Sequence, residues 1–246
     1  MRGGHETQHA VRADQDGRAT ELPDASSSAP SLIRQQTAII NSIRAYLAEF
    51  GIVAPVGRRG VEQLLEVVAD TADYRLSEVA RACLGALGSQ LRALKAQILE
   101  FDRRIIAWHR SSATSKRLDA IPGVGPALAT ALVASIADPK AFRSGRDFSA
   151  WVGLVPKQSS SGGKDKLGSI NKQGDRYLRS LFTAGALAVI RYAKIHGTGH
   201  RPWLTALLAR RPTKVAAIAL ANKLARMAWA MMARNERYKE PAALAA

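Results

Sequence analysis

Between Pro156 and Leu167 the chain reads Lys157-Gln158-Ser159-Ser160-Ser161-Gly162-Gly163-Lys164-Asp165-Lys166. These are the residue types that a phosphodiester-attacking serine wants. They give a nucleophile on a segment free to move, glycines that leave room for a strand, and cations beside the charge that develops on phosphorus. Any exposed loop has the same composition, and no activating base or metal ligand adjoins the serines in sequence. On residue types alone, both readings stay open. Metal chemistry finds little elsewhere: Cys83 is the single cysteine, and His196 and His200 bracket Gly197 and Gly199, which disfavours a rigid helical pair of ligands. No metal site is expected in this chain.

A second constellation is Ile121-Pro122-Gly123-Val124-Gly125-Pro126, followed by an apolar run from Ala127 to Ala137. This predicts helix, tight hairpin, helix. Backbone N–H groups at Gly123 and Gly125 would stand at the positive end of the second helix, where phosphate oxygens can accept from them. A compact turn that uses glycine only for its dihedrals fits the same residues. Further along, Asp175 is a candidate N-cap for a helix with Tyr177, Leu178, Leu181 and Phe182 inward and Arg176 and Arg179 outward.

The elements that must hold these residues come from a chain of 246 residues with 47% hydrophobic content, enough to bury a core. The net charge of +16 is local. Residues 1–139 hold 16 Lys+Arg against 15 Asp+Glu, whereas residues 140–237 hold 19 against 4. A polyanion-binding surface in the later segment is the simplest account; a basic surface kept for solubility is the alternative. With no run of about 18 uncharged apolar residues and charges where a signal peptide needs its apolar stretch, a cytoplasmic protein without membrane partners is expected.

Residues 1–30 are polar and aperiodic, and disorder is expected there. Residues 31–118 form a helical, coiled-coil region. Leu32, Ile39, Ile40, Ile43 and Leu47 share one helix face, Val61, Leu64, Leu65 and Val68 another. The series Leu84, Leu87, Leu91, Leu94, Ile98, Phe101, Ile105 and Trp108 alternates steps of three and four, the spacing of a coiled-coil seam. Its partner is either the 31–49 helix folded back or a second copy of the chain, which would make a homo-oligomer. Residues 119–237 form the C-terminal domain, with later helices near 203–209 and 214–236, and 238–246 is a tail. No alternating strand of useful length is present, so the fold class is mainly α.

The blocks Ile121-Pro-Gly-Val-Gly-Pro, Phe148-Ser-Ala-Trp-Val-Gly-Leu-Val-Pro156, Ser160-Ser-Gly-Gly-Lys164 and Leu167-Gly-Ser-Ile-Asn-Lys-Gln-Gly-Asp-Arg-Tyr-Leu-Arg179 resemble, in order and spacing, the C-terminal domain of transposases of the IS110 family. Arg34-Gln-Gln-Thr-Ala-Ile-Ile-Asn-Ser-Ile-Arg44 resembles the family's entry into its coiled coil, so the match covers residues 31–237. What the resemblance implies is recombination of DNA directed by a structured bridge RNA, with a serine joined covalently to DNA. The family's Ser-Gly step falls on Ser161-Gly162, making Ser161 the implied nucleophile and Ser160 the fallback. Lys157, Lys164, Lys166, Lys172, Arg176 and Arg179 are then the phosphate contacts. The family also carries an N-terminal α/β domain whose four acidic residues bind Mg²⁺, and Asp14 and Asp16 do not match its pattern. The expectation is a truncated or remnant transposase, with no cofactor of its own and no strand transfer alone. The alternative is a non-catalytic module that binds nucleic acid and oligomerises, or a structural coiled-coil protein with a merely basic half.

Overall fold

The computed structural model describes residues 22–159, 167–197 and 201–239. In chain order these form α1 (Leu22–Glu49), α2 (Arg58–Ala69), α3 (Glu78–Ser111), α4 (Ala113–Asp119), α5 (Pro126–Ser135), α6 (Gly145–Val152), β1 (Pro156–Gln158), β2 (Leu167–Ile170), α7 (Arg176–His196), α8 (Pro202–Arg210) and α9 (Thr213–Arg234). The protein is mainly α, and it divides into two compact units, Asp24–Arg104 and a second made of Met1–Pro23 with Ile105–Ala246, called Ile105–Ala246 below.

In the first unit, Ile43 and Leu47 of α1, Val61, Leu64 and Val68 of α2, and Leu84 and Leu91 of α3 make one buried apolar cluster, with Leu87 packed against it. The start of the heptad-like seam is therefore covered from within the chain. Leu94, Ile98 and Phe101 are half-buried, beside a groove of about 710 Å³ lined by Ser31, Leu32, Ala96, Gln97, Glu100, Phe101 and Arg104. Two arginines fasten the connections. Arg44 donates to the carbonyls of Ala54 and Pro55 at 3.1 and 2.7 Å. Arg81 donates to Val67 and Val68 at 3.2 and 3.0 Å, to Asp73 at 2.6 Å, and to the carbonyl of Asp70, satisfying groups that the end of α2 leaves open. α1 begins at Leu22 and runs through Pro30, while residues 1–21 lie outside the described residues. Once the apolar-faced part of a helix has formed, each added residue gains a hydrogen bond without needing an apolar face of its own.

In the second unit α9 is the central helix. Its Ala216, Ala217, Leu220, Ala221, Leu224, Ala225, Ala228 and Met231 are buried against Leu178, Phe182, Ala186 and Ile190 of α7 and Phe148 and Val152 of α6. By length and composition α9 could cross a membrane, but here its apolar face is covered by protein. Trp229 of α9 donates its indole N–H to the Pro139 carbonyl at 2.9 Å. Between α6 and α7 lie two strands of three and four residues, short enough to leave the mainly α class intact. β1 and β2 pair antiparallel, Pro156 opposite Ile170 and Gln158 opposite Leu167. Two steps on β1 match three on β2, so β2 carries a bulge. Strands this short leave no alternation to read.

Candidate nucleic-acid interface

The paired strands β1 and β2 start from a base that three helices hold. α6 ends at Gly153, whose left-handed φ of 82° lets its N–H reach the carbonyls of Ala150 and Ser149. The chain then leaves as β1, and the pairing continues below the strands: Asn171 N–H donates to the Val155 carbonyl at 2.9 Å and Lys172 N–H to the Gly153 carbonyl at 3.3 Å. Gly174 lies so close to α6 that a Cβ there would stand 2.0 Å from the Trp151 carbonyl. Asn222 of α9 donates to the Leu154 carbonyl at 3.4 Å. Asp175 caps α7, accepting from Leu178 N–H at 2.9 Å, and Leu178 and Phe182 are buried as expected.

Onto this base the structure places three of the expected cations. Lys157 on β1, Lys172 below β2 and Arg176 in the first turn of α7 are all exposed. A cation in the first turn of a helix opposes the helix dipole, so Arg176 and the N-terminal peptide groups present positive charge together. Lys172 sits at φ 60°, a left-handed conformation uncommon for a residue with a Cβ. Arg179 departs from its expected outward direction. It is half-buried and donates to the Val152 carbonyl at 2.9 Å, because α6 ends with an unpaired carbonyl within its reach. It positions the hairpin base. Ser160, Ser161, Lys164 and Lys166 lie outside the described residues, as does His200.

The glycine turn divides its two glycines between roles. Gly123 has φ 98°, and its carbonyl oxygen touches α7 so closely that a Cβ on Gly185 would stand 1.8 Å from it. A Cβ on Gly123 itself would meet Val189 and Leu224 at 2.8 and 3.2 Å. Packing accounts for that glycine. Gly125 is exposed with open space around it, and it opens α5 without any side-chain cap.

The surroundings carry little negative charge. From Arg176 to Asn235 there is no Asp or Glu at all, and among the described residues of 140–237 the ion pair formed is Arg234 with Glu236, at 4.0 Å. Lys223 stands over the Trp203 ring, 4.9 Å from its centroid. The described residues hold no group of three or more His, Cys, Asp or Glu that could bind a metal, and the Asp175 carboxylate is engaged by its own helix. They do not fit the Mg²⁺ that the family resemblance implies.

Sequence reasoning missed one serine with a base. His109 Nδ1 lies 2.7 Å from Ser115 Oγ, and His109 Nε2 lies 3.7 Å from Asp119 Oδ2. The residue types are those of a hydrolytic triad. Ser115, however, has no exposed surface and His109 only 8%, so no substrate phosphorus or carbonyl reaches the hydroxyl. The cluster ties the end of α3 to α4. Spacing alone could not reveal it, because the six-residue separation crosses from one helix to the next.

With this geometry in view, likeness to known proteins becomes specific. Residues 115–201 match the Transposase IS116/IS110/IS902 family, a span that runs from α4 through the glycine turn and the hairpin to the end of α7. A protein of Sinorhizobium fredii named as a transposase is 44% identical over 210 residues, covering 85% of this chain and 54% of its own length. One of Pseudomonas aeruginosa, named as a family 20 transposase, is 44% identical over 209 residues, 85% of this chain and 62% of its own length. The transposase of the IS1111A element of Coxiella burnetii is 34% identical over 208 residues, 85% of this chain and 57% of its own length. The chain thus spans a little over half the length of these relatives. Its resemblance to the IS116/IS110/IS902 transposases, read first from four motifs, is established.

Proposed function

We propose that this chain is the helical and C-terminal portion of a transposase, whose β1–β2 hairpin offers a serine to a DNA phosphodiester while the cations around its base hold the strand. The observation that carries this is the hairpin itself. In sequence the segment that joins β1 to β2 holds Ser159, Ser160 and Ser161, and the base of the paired strands is fixed by Gly153, Asn171, Gly174 and Arg179, with Lys157, Lys172 and Arg176 exposed alongside. Catalysis by a serine needs a reactive atom carried repeatably to one place, and a fixed base on either side of the serine-bearing segment supports that reading.

The nucleophile is Ser161, with Ser160 as the fallback. Its Oγ attacks phosphorus and forms a Ser–O–P bond. One bridging P–O bond breaks, the departing sugar oxygen takes up a proton, and the serine proton passes to water. Lys157, Lys164, Lys166, Lys172 and Arg176 neutralise phosphates, and Gly125 offers the open N-terminal turn of α5 to another. These contacts grip the backbone of DNA, or of a structured RNA, without reading sequence. On this reading residues 1–246 acting alone bind nucleic acid but form no strand-transfer product, since the resemblance places the Mg²⁺-binding acids in an N-terminal α/β domain whose pattern Asp14 and Asp16 do not match.

The test is binding of the purified chain to duplex DNA and to a structured RNA across a salt series, with the same reactions run on a denaturing gel with and without Mg²⁺. Expected are salt-steep binding and no covalent adduct. An adduct abolished by Ser161→Ala would establish the serine and overturn the inertness of the chain alone. Salt-insensitive or absent binding would remove the nucleic-acid reading and leave a structural helical protein.

A further inference from the structure

The last two turns of α7 carry a surface that the hairpin does not use. Tyr192 is 64% exposed and Ile195 71% exposed, an unusual placement for two large apolar side chains on a helix whose other face fills the core. The Tyr192 ring stacks on His196, with centroids 4.1 Å apart and planes 21° from parallel. His196 Nδ1 lies 3.1 Å from the Tyr192 carbonyl, a contact that holds the imidazole in register with the phenol. Arg191 beside them is exposed, and Lys194 on the same helix bonds Thr213 at the start of α9 at 3.1 Å. No carboxylate lies anywhere from Arg176 to Asn235. Sixteen residues separate Tyr192 from Arg176, which along a helix is about 24 Å. The two features are different places on the molecule.

We infer that the Tyr192–His196 stack is a platform for an unpaired base of a single-stranded nucleic acid, with Arg191 taking the neighbouring phosphate. This inference rests on the nucleic-acid reading above and goes beyond it, since phosphate contacts alone do not distinguish a base-bearing strand from a bare backbone. Three properties of the patch converge on that ligand. A π-face that is already paired extends a stack of aromatic planes. The side chains beside it are apolar or cationic. The sixty residues from Arg176 to Asn235, which include α7, α8 and α9, lack the negative charge that would repel a polyanion. A duplex hides its base faces within its own stack, so the platform adds affinity for single strands only.

The experiment uses the full chain and three fluorescein-labelled probes of equal phosphate count: a thymidine dodecamer, the same backbone made abasic, and a short duplex, each followed by anisotropy at one fixed salt concentration. The thymidine strand is expected to bind about tenfold more tightly than the abasic one, the increment of a stacked base. Tyr192→Ala removes that increment, Tyr192→Phe keeps it, and neither changes duplex binding. Tyr192 is exposed, so its loss leaves the core intact, and circular dichroism of the variant checks this. Equal affinity for the base-bearing and abasic strands overturns the platform while leaving the phosphate interface standing. So does a Tyr192→Ala variant whose only change is in sedimentation mass, which would assign the patch to contact between copies. Failure of all three probes to bind overturns both readings.

Discussion

The two units handle positive charge in opposite ways. In Asp24–Arg104 three arginines are engaged within their own unit: Arg44 and Arg81 serve the carbonyls of their own loops, and Arg75 lies 2.5 Å from the Asp73 carboxylate. In Ile105–Ala246, among the described residues expected to contact nucleic acid, Arg179 is the one used that way. Lys157, Lys172 and Arg176 stand exposed around the hairpin base, and from Arg176 to Asn235 there is no Asp or Glu. A cation with an internal partner holds a loop and is insensitive to solutes. A cation without one contributes nothing to the fold and is available to a polyanion. The same residue type therefore does different work in the two halves, and only neighbours in space tell which.

Substitutions can break this contrast, and the largest effect comes from neither class of cation. Gly185→Ala would drive a methyl into the Gly123 carbonyl, 1.8 Å away, and is expected to cost more than about 3 kcal/mol and to melt the second unit selectively. Thermal denaturation followed by circular dichroism would show it. Arg81→Ala is next. Four carbonyls lose a charged donor, and about 2 kcal/mol of stability in the first unit should go with it, while the salt dependence of DNA binding stays unchanged. Arg176→Ala should do the reverse. Its melting temperature holds, affinity for duplex falls a fewfold, and the slope of log affinity against log salt loses about one unit. If Arg81→Ala altered the salt slope or Arg176→Ala the melting, the division between the units would fail.

The smallest effect concerns acid. Arg75, by side-chain and backbone hydrogen bonds, holds the Asp73 carboxyl at about 2, below its ordinary 3.8. A depressed folded-state value means that the ionised form stabilises. The contribution is fully present above pH 3.8 and is lost as pH falls through about 2. The difference in melting temperature between the parent and Asp73→Asn should accordingly shrink to nothing across that window. A constant difference down to pH 2 would show that the ion pair is not its origin.

Much of the C-terminal unit was legible because its signals are local. Asp175 sits one residue before its helix and caps it, and Leu220, Leu224 and Met231 recur at helical spacing and are buried. What escaped depends on partners remote in sequence. Arg179 looked like a surface charge because its acceptor, Val152, is 27 residues away. β1 and β2 were invisible because three and four residues give no period to detect, and the pairing is fixed by glycine contacts with α6. The hydroxyl nucleophile itself was legible only through resemblance. Nothing in residue type separated Ser160 or Ser161 from an ordinary loop serine, and both lie outside the described residues.

The bulged pairing of β1 with β2 limits how this segment can vary in length. Strand side chains alternate between faces, so adding one residue to each strand lengthens the stem by about 3.4 Å but reverses which face the tip presents, while adding two to each restores the face. A single residue added to one strand alone either is absorbed as a second bulge or shifts the register. Tolerated insertions and deletions within Pro156–Gln158 and Leu167–Ile170 should therefore come in matched pairs, and a library of strand lengths scored for function should show an even-odd rhythm rather than a smooth decline.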